Sequence, residues 1–155
     1  AFVAAPSRGG IEEAYVIRNA LEVESVRRAA AKISPFHLEE LEDIVGQHQT
    51  AIGRKRYTDA IRLDDQFHRY IAEINNLSML WRAVDISKAQ MDRGRYLALP
   101  KPGLGETTIA QHQAILTALA ARDAQQAMEA MRVHLDTSLR NTLSLLGDML
   151  DPPEG

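Results

Sequence analysis

Apolar residues recur along this chain at steps of three and four, and sustained apolar/polar alternation is absent. That period belongs to the amphipathic α-helix. The spacing predicts six helices. The first runs from about 11 to 33, with Ile11, Ala14, Tyr15, Leu21, Val26, Ala29 and Ala30 on its apolar stripe. Ser34 is placed to cap a second, with Pro35 at its first position, where a missing N–H costs nothing. That helix reaches about Ile52 and stops at Gly53, and "GRKRY" reads as a loop. Thr58 opens a third helix, which ends near "NNLS" at 75–78. Ser78 is placed to cap a fourth, carrying Leu80, Trp81, Val84, Ile86 and Met91, to about Tyr96. "LALPKPGLGE", residues 97–106, breaks the pattern with two prolines and two glycines and is a candidate lid. A fifth helix covers about Thr107 to Ala121, and Asp123 with Gln126 resembles a capping box for the last, which reaches about Leu146. Short connections between long helices predict antiparallel neighbours, hence an all-α bundle.

Composition narrows the class. The chain has 155 residues, enough for one domain with a real core. Hydrophobic residues make up 45% and charged residues 25%, as in ordinary globular domains. A formal charge of −3 leaves no overall electrostatic footprint for nucleic acid. The "RKR" at 54–56 has no aromatic partners for base stacking and reads as a solvated loop. With no cysteine, thiolate chemistry and disulfides are excluded. No apolar run approaches the ~20 residues of a membrane span. The opening "AFVAAPSRGG", residues 1–10, reads as a linker; 11–150 form the bundle, and 151–155, "DPPEG", a frayed tail. Phosphate-binding glycine loops, G-x-S-x-G and H-E-x-x-H are all missing.

The third helix raises a chemical question. Ala60, Ile61, Phe67, Ile71 and Ile74 define its buried arc, and at 100° per residue Asp64 falls inside that arc with His68 at its edge. Residues four apart share a face, so the two converge. A buried carboxylate is costly unless it is paired or bound to a cation. In the fifth helix, Ile109, His112, Leu116 and Leu119 follow core spacing, so His112 faces inward. In the last, His134 shares a side with the small Ala127, Ala130 and Ser138. Two readings stay open: hydrogen-bonded polar residues at the rim of a core, or a metal-ligand set built on facing helices. Imidazoles with a carboxylate suit zinc, nickel, iron or manganese better than calcium or magnesium. His37, in a first helical turn, and His48, in "GQHQT", read as surface residues.

Arg18 lies between Tyr15 and Leu21 on the buried stripe. It either snorkels to water or offers an inward carboxylate clamp. Arg93 and Arg95 near the end of the fourth helix either suit its dipole or reach the same cavity.

The chain resembles the C-terminal effector-binding (FCD) domain of bacterial GntR-family transcription regulators, in the FadR-like branch. The marks run in order over about residues 14–146: "YVIRNALE" at 15–22 resembles the R-x-x-L-E element, "DDQFH" at 64–68 the D-x-x-F-H motif, "NN" at 75–76 the asparagine closing that helix, "QHQAILTAL" at 111–119 the H-x-x-I-L element, and "AMEAMRVHL" at 127–135 the M-x-x-H-L element. His112 follows His68 by 44 residues and His134 follows by 22 more, in the family's order.

The resemblance implies an antiparallel bundle of six to seven helices around a central cavity with one divalent transition metal, zinc first, with nickel, iron or manganese as alternatives. Its implied ligands are Asp64, His68, His112 and His134. It implies a small organic acid effector, with Arg18, Arg95 or Arg93, and Asn76 around it. Gln111 departs from the glutamate common in the family. It further implies a cytoplasmic homodimer with no membrane partner, reaching operator DNA only through a winged-helix domain preceding residue 1. The rival is a metal-dependent helical enzyme acting on a small carboxylate. Against it, the sequence offers no inward acid or base beyond the four ligands.

Overall fold

The computed structural model describes residues 6–150. Within that range every regular element is a helix: α1 (Arg8–Lys32), α2 (Pro35–Gly53), α3 (Tyr57–Ile74), α4 (Ser78–Ala98), α5 (Leu104–Ala120), α6 (Ala124–Leu146) and a short 3₁₀ turn, Gly147–Met149. Residues 151–155 and 1–5 of the expected tail and linker lie outside the described residues. No helix among those described is long and apolar enough to cross a membrane.

Several boundaries move from the expected positions for local reasons. α1 begins at Arg8, taking in three residues of the expected linker, because the Ser7 side chain accepts a hydrogen bond from the Gly10 N–H and satisfies an otherwise orphaned donor. Ser34 caps α2 as expected, and His37 completes the box: its Nδ1 accepts from the Ser34 N–H. Ser78 does not cap α4; it is the first helical residue, after Leu77. The predicted lid shrinks to residues 99–103, since α4 continues to Ala98 and Gly103, at φ 83°, turns the chain directly into α5. Asp123 caps α6 by accepting from the Gln126 N–H. Of the apolar residues expected on α4, Val84 and Met91 are buried and Ile86 is exposed.

Packing departs from a simple up-and-down order. α2 with α3 and α5 with α6 form packed hairpins, but α1 and α2 scarcely touch although two residues join them. α1 instead lies along α6 and α4, and also meets α3 and α5. Its C-terminus docks on the α5–α6 turn, where the Arg122 guanidinium donates to the carbonyls of Ala31 and Ile33. That contact satisfies carbonyls a helix end leaves unpaired. The main core joins Val26, Ala30, Leu41, Phe67, Ile115 and Met131, while a second cluster of Ile11, Met91, Leu146 and Leu150 closes the α1–α4–α6 end. α3 makes little or no close backbone contact with α5 or α6. The gap between them is filled by polar side chains, and there the candidate site lies.

Candidate metal centre

α3 projects Asp64 and His68 from consecutive turns, α5 supplies His112 and α6 supplies His134. One ligand atom from each lies within 4.8 Å of every other. Asp64 Oδ1 is 3.3 Å from His68 Nε2 and 3.2 Å from His112 Nε2, and the Nε2 atoms of His68 and His134 are 3.2 Å apart. Bonds of ~2.0–2.1 Å arranged tetrahedrally put donor atoms roughly 3.3 Å apart. All three imidazoles are buried, and the Asp64 side chain is only 18% exposed.

His112 bears on the choice between the two readings, because neither of its buried ring nitrogens has a hydrogen-bond partner among the described residues. His112 Nε2 is 3.2 Å from a carboxylate oxygen, yet the angle gives no hydrogen bond, so it is left without a partner. Buried polar atoms without partners are rare in native folds. A lone pair directed at a point shared by four donors is satisfied by a cation at that point. The donor set therefore fits a transition metal.

The outer atoms of His68, His134 and Asp64 are held as a metal requires, whereas Nδ1 of His112 has no hydrogen-bond partner. His68 Nδ1 meets Glu22 Oε1 on α1 at 2.5 Å, and Glu22 Oε2 accepts from Arg18 Nε at 2.8 Å. This fixes the His68 proton on Nδ1 and turns Nε2 inward. His134 Nδ1 meets Gln111 Oε1 at 2.8 Å, and the Gln111 amide donates to Thr137 Oγ1 at 3.1 Å. Asp64 divides its oxygens: Oδ1 faces the imidazoles, and Oδ2 accepts from Arg95 Nη2 at 3.0 Å. The His112 ring stacks on Phe67 at 4.2 Å between centroids, which sets its plane.

Electrostatics follow from these contacts. Burial pushes Asp64 up, but Arg95 and the two histidines outweigh it and hold the carboxyl well below its usual range. Glu22 is likewise depressed: Arg18 and His68 overcome burial. Burial pulls His68 down, yet the carboxylates of Glu22 and Asp64 raise it to about 9. Burial lowers His112 and His134, with neighbouring imidazoles adding to the effect. Two histidines are thus favoured as neutral donors, and the third is held protonated by its carboxylate neighbours and would give up that proton to a metal.

A cavity of about 60 Å³ opens on Asp64 and His134. All six helices contribute to its walls, with Arg18, His48 and Arg95 among the lining residues. A family model for the FCD domain matches residues 13–137. The chain belongs to the FCD domain family. It is 33% identical over 129 residues to the HTH-type transcriptional repressor RspR of Escherichia coli K12, covering 83% of this chain and 57% of that protein. It is 28% identical over 135 residues to an HTH-type transcriptional regulator in an unstable DNA locus of Streptomyces ambofaciens, covering 86% and 56%. The solved structure of E. coli McbR/YncC superposes with a TM-score of 0.76 over 86% of this chain and 64% of that one, at 20% identity, a likeness of fold. The chain spans a little over half the length of the curated relatives it matches.

Within this FCD domain the four candidate ligands come together, with Arg18 and Arg95 beside them. Arg93 and Asn76 do not join them. Arg93 is exposed on α4. Asn76 is exposed in a left-handed turn at φ 57°, while its neighbour Asn75 is buried, donating to the carbonyls of Ser25 and Ile71. His48, expected at the surface, is 1% exposed, and its ring lies 5.5 Å from that of His112. The polar run around it hid an inward position on α2. Glu22 was missed as an inward acid. Its spacing of four from Arg18, on a stripe already assigned to the core, was the available signal.

Proposed function

We propose that this domain is the effector-sensing and dimerising half of a GntR-type transcription regulator of the FadR-like branch. Asp64, His68, His112 and His134 hold one divalent transition metal, zinc first among the candidates. The observation that carries the reading is the convergence of these four donors, two of which, Asp64 and His134, line a cavity, with buried His112 nitrogens that no described protein group satisfies. When bound, the metal supplies a Lewis acid that accepts a carboxylate oxygen of a small organic acid. Arg18 stands at the same cavity as a cationic partner for that acid.

Effector binding then biases two arrangements of a homodimer and so the spacing of winged-helix domains on operator DNA. The names of the relatives support the DNA-regulatory role. The exposed apolar residues Val16 on α1 and Met79 and Ile86 on α4 support association through those helices. Such a regulator works in the cytoplasm. The enzyme alternative gains nothing from Glu22, the further buried acid among the described residues, because both its oxygens are taken by Arg18 and His68.

The test is metal content by mass spectrometry on protein never exposed to chelator, followed by calorimetry with a panel of short organic acids. About one transition ion per chain and metal-dependent binding of an acid returned unchanged support the reading. A protein that takes up no metal from a slight excess sinks it.

A further inference from the structure

Three of the four candidate ligands have an outer atom held by another side chain: His68 by Glu22, His134 by Gln111 and Asp64 by Arg95. His112 is the exception. Its Nδ1 is buried and has no hydrogen-bond partner among the described residues. The neighbouring ring on α2, His48, has a buried Nδ1 in the same condition. We infer that His48 is the positioning partner of His112: in the metal-loaded domain, the Nδ1–H of His112 donates to Nδ1 of His48. The inference rests on the metal site proposed above.

The chemistry of the ligand comes first. A metal on Nε2 of His112 takes that lone pair, so the ring proton must sit on Nδ1, which becomes a donor and nothing else. A buried donor without an acceptor is strongly disfavoured, and ligating histidines almost always give this N–H away. The other polar groups around the site are engaged. Glu22 holds His68 and Arg18, Gln111 holds His134 and Thr137, and Oδ2 of Asp64 accepts from Arg95. Phe67 stacks on the His112 ring and offers no acceptor. His48 does offer one, because a neutral imidazole carries one donor and one acceptor nitrogen.

The placement agrees. The two ring centroids are 5.5 Å apart, with the planes inclined at 50°. Imidazoles joined by an N–H···N bond of ~3.0 Å stand with their centroids roughly 5 Å apart, so the rings are close to the spacing such a bond requires. α2 packs directly on α5, and both rings are sealed from solvent, so water does not compete at either Nδ1. With Nδ1 as the acceptor, the Nε2–H of His48 is left to the cavity that this residue lines. One bond thus accounts for two buried nitrogens that are otherwise orphaned. It also gives His112 the kind of support that Glu22 gives His68 and Gln111 gives His134.

Two substitutions in the 155-residue chain test this. His48→Leu removes the acceptor and keeps the position filled, whereas His48→Asn sets an amide oxygen close to where Nδ1 stands. Zinc affinity, read by competition with a chromophoric chelator, should fall about 10–100-fold in His48→Leu and be largely restored in His48→Asn. Thermal melts in chelator should not follow that order, because a residue that only packs would cost the metal-free chain as much as the zinc-loaded one. Equal zinc affinity in the parent and His48→Leu would overturn the inference and leave the metal site intact. Equally weak binding in both variants, or melts in chelator that fall in step with affinity, would overturn it too. A parent chain that takes up no zinc would overturn the metal site and this inference together. If His48→Leu fails to fold, a crystal structure of the zinc-loaded parent decides: His112 Nδ1 within ~3.2 Å of a His48 nitrogen supports the assignment, and a separation beyond ~3.5 Å overturns it.

Discussion

The Glu22 carboxylate on α1 meets the Nδ1 atom of His68 on α3 at 2.5 Å, with Arg18 on its other oxygen. Glu22 receives two donors and needs two acceptor atoms. In Glu22→Gln the amide has one acceptor, so an NH₂ group must face either Arg18 or His68. His68 loses a charge that raises its basicity in either case, and its ring loses orientation when the NH₂ group faces it. Zinc affinity should fall about 10–100-fold, the usual effect of removing a group that orients a ligating histidine. Competition against a chromophoric chelator measures this. Unchanged affinity would mean that the pair only ties α1 to α3.

Metal binding should release a proton. His68 titrates at about 9 without metal, so at pH 7.5 it carries protons on both nitrogens. His112 and His134 are lowered and already neutral. A metal on Nε2 of His68 displaces the proton there, while Nδ1–H stays on Glu22. Titrating zinc at pH 7.5 in buffers of different ionisation enthalpy should give about one proton per ion. A count near zero would place His68 outside the ligand set.

The metal-free domain should lose stability below pH ~6.5. His48 is lowered to about 4 by burial, and His112 and His134 are also lowered. An unfolded histidine binds its proton near 6.5, where the folded domain does not. These groups therefore contribute stability above ~6.5 and lose it as pH falls, at about 1.4 kcal/mol per pH unit for each. Glu22 and Asp64, both depressed, add a further loss below ~4. His68 has the opposite sign: its contribution is full below ~6.5 and disappears as pH rises through about 9. Thermal melts in chelator should peak near pH 6.5 and fall more steeply on the acid side. A flat profile from pH 7 to 5 would contradict the burial of these rings.

The helices and the four candidate ligands were legible because both follow a local period. Phe67, Ile71 and Leu119 sit where a 3.6-residue repeat puts them, and Asp64, His68, His112 and His134 share those faces. What the sequence hid depends on contacts between distant segments. His48 lies in a polar stretch and is buried because α2 packs against both α3 and α5. Arg93 and Arg95 are two apart and point in different directions from α4, so only tertiary placement separates the exposed one from the one on Asp64. The close pairing of α1 with α6 is likewise invisible in connection lengths, as are the Arg122 contacts from the α5–α6 turn to the α1 C-terminus, which span 89 and 91 residues.

Arg95 should matter most when no metal is present. Its guanidinium joins Asp64 and Asp65 of α3 to Asp92 of α4, and the Arg95 side chain is 11% exposed. Arg95→Met keeps length and apolar packing but leaves three carboxylates facing one another beside Lys88. Breaking a buried ion pair from one side costs ~3–5 kcal/mol. Asp65 and Asp92 are 28% and 38% exposed, so water screens part of this, and about 2–3 kcal/mol is expected. A metal on Oδ1 of Asp64 would neutralise the carboxylate that loses most. The deficit should therefore shrink when urea unfolding is repeated with saturating zinc. Zinc affinity should drop as well, because Oδ2 is no longer held and Asp64 can turn. A deficit of the same size with and without zinc would show that Arg95 serves the α3–α4 contact and has no part in presenting Asp64 to the metal.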